Sequence, residues 1–337
     1  MRSKSIFKDL YALIPLVISG LLCIGLILVL NNKIQTTPDF NATLESVASI
    51  FISISGFLAA IIMVYLAASA LGLKQNREVA IDQLSRITQK MHNFRSIIEL
   101  LLRSKMWLPG LREYIDDEFA GLNFFEVKEF YKGKSKLAIE FLQETHHYAD
   151  TENLYLELKS LLMTSPRDKQ IPENIKYPKV YNNDIVQKWL EHKCGSGLWY
   201  YFGYKYGIYK ESLDFNAVFE RHQEKIMTLA NAIDGEAFED SSFNEVFLSK
   251  LGEYMTNEVL PKLFQFQGSV DQKMPAIIRY LYFIFLFLVL FGVMLPLAYL
   301  LFALPILTLV VSFSLVVAII FFIATSFYPF LAREIYK

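Results

Sequence analysis

The chain has 337 residues, with 33 Lys+Arg balanced against 34 Asp+Glu, a formal net charge of −1 and no basic excess to mark a general nucleic-acid binder. Its two cysteines, Cys23 and Cys194, exclude a disulfide framework and fit a reducing compartment around the soluble part. Hydrophobic residues make up 53%, but this averages two materials: strongly apolar ends flanking a charged, slightly acidic middle at 74–273.

The first apolar block holds two candidate spans, Tyr11–Leu30 and Ser46–Leu73, because a bilayer core of about 30 Å takes roughly 20 helical residues. Arg2, Lys4 and Lys8 give the first span a leader-like start, but it runs into Asn31-Asn32-Lys33 without a small-residue cleavage site, which predicts an uncleaved span. In the second span, Ser49, Ser53, Gly56, Ala60 and Ala67 fall on one helical stripe. Such a stripe lets another helix approach closely, so it is read either as packing surface or as the lining of a path in an oligomer. No Asp, Glu, Lys, Arg or His lies inside the spans, which argues against a proton- or ion-coupled carrier.

From Leu73 the pattern continues as helix. Ala80, Leu84, Ile87, Met91, Phe94, Ile98 and Leu101 alternate steps of four and three, a heptad seam that suits a helical bundle or a self-associating coiled-coil stalk. Gly72 is a candidate hinge at the head of this segment, Leu73–Trp107, which would rise about 50 Å as a helix. Phe124–Tyr148 and Glu152–Met163 are predicted as helices. A loop near 164–184 with Pro166, Pro172 and Pro178 divides the soluble domain. Phe215, Phe219, His222, Ile226, Leu229 and Ile233 form a second stripe that Gly235 would end. Ser242 and Glu245 read as a capping box, and Pro261 limits the helix that follows.

Chemistry-bearing groups are sparse. His192-Lys193-Cys194-Gly195-Ser196-Gly197 matches neither a nucleophile elbow nor a phosphate loop and reads as a turn. The adjacent pair His146-His147 points in two directions on a helix, and His222 reads as a satisfied core histidine. Asp116-Asp117-Glu118 and the run Asp234, Glu236, Glu239 and Asp240 lack EF-hand spacing and read as solvated faces and caps. The aromatic stretch from Trp199 to Lys210 is the most unusual feature of the domain. Trp199, Tyr201 and Tyr204 are its candidate ligand-stacking or interface residues, with packing beneath the bundle as the plainer reading.

The C-terminal block, Tyr280–Ala332, contains no charged residue. It accommodates two spans with an uncharged loop near Leu295–Pro305, where Pro296 and Pro305 either bracket a simple hairpin turn or kink one of the spans. Basic residues cluster before the first span, after the second (Lys74, Arg77), before the third (Lys273, Arg279) and after the fourth (Arg333, Lys337). The first loop offers only Lys33 against Asp39 and Glu45. The positive-inside rule therefore predicts that both termini and the soluble domain are cytoplasmic.

The passage Val64-Tyr65-Leu66-Ala67-Ala68-Ser69-Ala70-Leu71-Gly72-Leu73-Lys74-Gln75-Asn76-Arg77-Glu78, with Phe94 and Ile97–Leu102 beyond it, resembles bacterial phage abortive infection membrane proteins. In these a span runs straight into a Gln/Glu/Leu-rich helix. The family's repeated Gln/Arg/Glu run occurs here once, the closing pair of spans departs from the family, and no functional residue carries over. The resemblance implies a role in bacterial stress or anti-phage defence.

The expected architecture is all-α: a transmembrane hairpin at 1–73, a cytoplasmic helical domain at 74–273 and a second hairpin at 274–337, in the inner (plasma) membrane. No catalytic, cofactor or metal set is legible. The expected partners are the lipid bilayer, further copies of the chain, and a cytoplasmic protein or small-ligand activator. The function these features point to is an oligomeric, channel-like or membrane-perturbing effector gated by the cytoplasmic domain. The alternative is a non-conducting scaffold that docks a partner.

Overall fold

The computed structural model describes residues 10–37, 39–130, 135–144, 148–171, 175–270 and 274–335, with side chains described from Ile14 to Ser326. The expectations that rest on Arg2, Lys4, Lys8, His146, His147, Pro172, Lys273, Lys337 and the Arg333 side chain fall outside them. Among the described residues the chain is helical and has no strand; one isolated antiparallel bridge joins Trp107 and Leu213. In chain order the principal helices are α1 (Leu10–Thr36), α2 (Phe40–Leu102), α3 (Phe124–Lys128), α4 (Lys136–Glu144), α5 (Thr151–Leu161), α6 (Asn183–Glu191), α7 (Glu220–Ile233), α8 (Glu245–Tyr254), α9 (Leu260–Val270), α10 (Ala276–Phe287), α11 (Leu295–Phe302) and α12 (Leu307–Ile335). The chain divides into two compact units, Met1–Lys74 with Lys273–Lys337, and Gln75–Gln272.

The first unit carries four helical stretches long and apolar enough to cross a bilayer: Ile14–Thr36, the apolar part of α2, Ala276–Phe302 and Leu307–Ser326, with mean hydropathy of 2.5 to 2.9. These are compatible with a multi-pass membrane protein. Leu44 and Ala48 of α2 pack with Tyr299, Leu309, Val310 and Phe313, and Ala59 packs with Ile284, Leu288 and Val316. Ser55 lies on the same buried face. Opposite it stands Gly292, where an added Cβ would sit 2.6 Å from the Ser55 Cβ, so only glycine fits this approach. The Ser312 hydroxyl donates to the Phe291 carbonyl, and the Tyr299 hydroxyl donates to Glu45 Oε1 at 2.8 Å. Only 11 to 39% of each apolar window is buried by the rest of the chain, which leaves most of this surface for lipid or further protein.

Pro261 and Pro296 both lie within helical runs. Pro261 is expected to limit its helix, yet helix runs from Glu245 through Val270, with a π segment at Met255–Val259 just before the proline. Pro296 behaves alike: α10 passes through a π segment, Leu288–Met294, into α11. Proline lacks the N–H that would bond four residues back, and its ring crowds that carbonyl; one wider turn before it relieves both problems. The loop expected near Leu295–Pro305 is therefore confined to the residues after Phe302, where Ala303 adopts the left-handed conformation with φ 47°.

The second unit is built on the latter part of α2. Leu84, Ile87, Met91, Phe94, Ile98 and Leu101 are all buried in one apolar cluster that continues through α5, α6, α8 and α9 and includes residues on both sides of the 164–184 loop. The seam is thus covered by its own chain and serves as bundle core, which overturns the coiled-coil stalk reading for these positions. Each such side chain stabilises the unit by about 1.5–3 kcal/mol.

Arg95, fully buried on α2, ties the loop to this core. Its guanidinium donates to the carbonyls of Leu161 at 2.8 Å, Lys176 at 2.6 Å and Leu162 at 2.6 Å, beneath the rings of Tyr177 and Tyr181. His92 reaches the Pro178 carbonyl at 3.0 Å. Asp168 closes the start of the loop by accepting from the Thr164 and Ser165 amides.

Several helix ends differ from expectation. The stretch predicted as one helix from Phe124 to Tyr148 is broken after Lys128, where Glu129 leaves helical geometry. Asn244, not Ser242, caps α8, because its side chain accepts the Phe247 amide at 2.8 Å; asparagine reaches the third helical amide as well as serine does. Gly235 does not close α7. The extended backbone of Asp234 ends that helix, and its carboxylate caps the next short turn by accepting from Ala237.

Candidate functional site

Ser49, Ser53 and Ala60 are exposed on α2 in the single chain, and Gly56 is half-buried. The face packed within the chain is Leu44, Ala48, Ser55 and Ala59, one residue earlier around the helix. The Ser49 hydroxyl donates to the Ser46 carbonyl at 3.3 Å and that of Ser53 to the Ser49 carbonyl at 2.9 Å. Helix α2 passes through Gly72 without a break, and nothing lies within 4 Å of the position a Cβ would take there.

The aromatic candidates separate. Tyr201 is buried and donates to the Asp150 carbonyl at 2.7 Å; burial, with the nearby Tyr209 and Asp150, pushes its phenol pKa up. Trp199 and Tyr204 are exposed and meet edge to face, 5.1 Å between centroids. Two other readings change. His222 is half-buried rather than a core residue, and its Nδ1 has no hydrogen-bond partner among the described residues. Asp116 is no solvated carboxylate either: it accepts from Tyr155 at 2.8 Å and from Lys159 at 2.5 Å, a lysine only 1% exposed. A buried ammonium requires such a partner.

The turn His192–Gly197 presents two different faces. On the inner face, Glu157 of α5 is buried, and its Oε1 accepts from the Gly195 amide at 2.7 Å and the Gly197 amide at 2.8 Å. Gly195 has φ +100°, a left-handed conformation that glycine adopts freely. A Cβ on Gly197 would lie 2.8 Å from Glu157 Oε2. Burial raises the Glu157 pKa to about 7, against the lowering effect of the two amides and the more distant Lys128. Cys194 is also buried here, and desolvation followed by the Glu157 charge pushes its thiol well above the usual range. A thiol so held is not a nucleophile.

The outer face holds the accessible chemistry. His192, the C-cap of α6, places Nε2 3.4 Å from Glu129 Oε1. Lys188, one turn earlier, donates to the same Glu129 oxygen and lies 3.8 Å from Glu191 Oε2. One ligand atom each from Glu129, Glu191 and His192 lie within 4.8 Å of one another. Phe125 and Phe124 flank the imidazole at centroid distances of 5.7 and 6.4 Å. Beside this group opens a polar groove of about 730 Å³, lined by Ser165, Arg167, Asn182, Asp184, Lys188 and Glu191 among others. The sequence reading missed this constellation because Glu129 and His192 are 63 positions apart; the only local signal is the Lys188/Glu191/His192 spacing on one helix end. No family model, curated protein or solved structure matches the chain.

Proposed function

We propose that the chain is a homo-oligomeric effector of the bacterial inner membrane, channel-like or membrane-perturbing, gated by its cytoplasmic helical unit. The observation that carries this reading is the continuity of α2. One uninterrupted helix, Phe40–Leu102, supplies an apolar span at its start and core residues of the soluble unit, Leu84–Leu102, at its end. A ligand or protein that binds two states of the soluble unit unequally would bias this helix. The basic residues flanking the apolar blocks support a cytoplasmic soluble unit. The exposed face of α2, with Ser49, Ser53 and Ala60 beside Ile50, Ile54, Phe57 and Ile61, supports contact with further copies. The resemblance around Val64–Glu78 supports a role in stress or phage defence.

The test is dye release and single-channel recording from phosphatidylethanolamine/phosphatidylglycerol vesicles containing the full chain. Wild type and Gly72→Ala should release dye, whereas Gly72→Pro, which breaks α2 at the join, should change the response. The absence of both release and conductance from every variant would reject an effector that acts on the bilayer.

A second reading, a non-conducting scaffold, is favoured by the Ser49 and Ser53 hydroxyls, which are satisfied within their own helix and require no water-filled path. It requires that exchanging the four spans for an unrelated anchor preserves function in cells; loss of function after the exchange rejects it.

A further inference from the structure

We propose that Glu129, Glu191 and His192 form a binding site for a divalent transition metal of the zinc class, with Lys188 as a built-in competing cation. The first argument is distance. The 3.4 Å between His192 Nε2 and Glu129 Oε1 is long for a hydrogen bond, which prefers about 2.9 Å. It equals the edge of a tetrahedron whose metal–ligand bonds are about 2.1 Å. Glu191 is exposed, so its carboxylate closes the remaining distance by a rotamer change, and water completes four-coordination.

The second argument is presentation. His192 stands at the C-terminus of α6, where the carbonyl ends favour a cation. The Phe124 and Phe125 rings hold the imidazole in place, so little freedom is lost when it ligates. The groove lined by Lys188 and Glu191 gives a hydrated ion a path in. The donor set of one imidazole and two carboxylates suits zinc, cobalt or iron better than calcium.

The third argument concerns charge. Among the described residues, the Lys188 ammonium bonds to Glu129 and approaches Glu191. A metal therefore enters by displacing the Lys188 ammonium towards the groove, which makes occupancy a competition between two cations.

The experiment uses the full chain in detergent, with any affinity tag removed and metal stripped, titrated with Co²⁺ and then back-titrated with Zn²⁺. Wild type should develop the visible d–d bands of four-coordinate cobalt at one equivalent, and zinc should abolish them. His192→Ala and Glu129→Gln should each weaken binding by at least about 100-fold, the order seen when a ligand or its supporting shell is lost. Lys188→Met should tighten binding about tenfold, because the competing pair is gone. This variant gives a readout opposite to that of a damaged fold, and circular dichroism checks the fold of each variant. The proposal is overturned if wild type shows no d–d bands, if His192→Ala binds as wild type does, or if Lys188→Met binds no more tightly.

Discussion

Replacing Glu157 with glutamine should alter how stability depends on pH, by an amount the burial of that side chain determines. The carboxyl accepts two backbone amides and meets no lysine or arginine at hydrogen-bond distance among its described contacts. Its pKa is raised from 4.5 to about 7, with desolvation as the main cause. The folded chain therefore holds a proton that the unfolded chain releases between these values, so the stability conferred by the neutral carboxyl is fully present below pH 4.5. It falls as pH rises to 7 and stays level above. The full span is worth about 3 kcal/mol, and the part between pH 5 and pH 8 about 2.5 kcal/mol. Glutamine has no charge to lose. Whatever fixed penalty its amide incurs in the pocket, the stability of Glu157→Gln relative to wild type should rise by about 2.5 kcal/mol from pH 5 to pH 8. The assay is denaturant unfolding followed by tryptophan fluorescence, which reports on the second unit because all 3 tryptophans, Trp107, Trp189 and Trp199, lie in Gln75–Gln272. A difference that is flat or falls between pH 5 and pH 8 would refute the assignment of Glu157 as a buried, protonatable carboxyl.

Three further outcomes follow from close packing. Gly292→Ala, whose new methyl would meet the Ser55 Cβ at 2.6 Å, should lower stability by about 1–3 kcal/mol, seen as earlier thermal aggregation in detergent. Gly56→Ala, with only an ordinary 3.8 Å contact to Val293, should leave that temperature unchanged or raise it. Arg95→Lys keeps the charge but cannot serve three carbonyls at once. It should lose about 3 kcal/mol and open the 164–181 loop to limited proteolysis.

The sequence carried what depends on local pattern and left out what depends on contacts made across the chain. Apolar length was enough to find four helices that suit a membrane, and the step of three and four from Ala80 to Leu101 was enough to find a buried helix face. Pattern could not show whether that face met its own chain or another copy, because both burials look alike in a heptad. Pro261 misled for a related reason. Pro261 and Pro296 forbid one hydrogen bond each, and a single π turn before them absorbs that loss without ending the helix. The turn at His192–Gly197 was legible from its glycines, but its partners were not. Glu157 lies 38 positions before Gly195 and sits in a helix of ordinary composition, so nothing near it in sequence marks it. Glu129 and Asp116 were hidden in the same way, each taking its role from a lysine on a distant helix.

The central claim, that the membrane unit acts as an assembly of several copies through the exposed face of α2, is tested most directly by counting copies. Native mass spectrometry of the full chain released from lipid nanodiscs should give two or more copies for wild type and a shift to monomer for Ser53→Leu, while Gly56→Ala keeps the wild-type distribution. A single copy at every protein-to-lipid ratio would contradict the account.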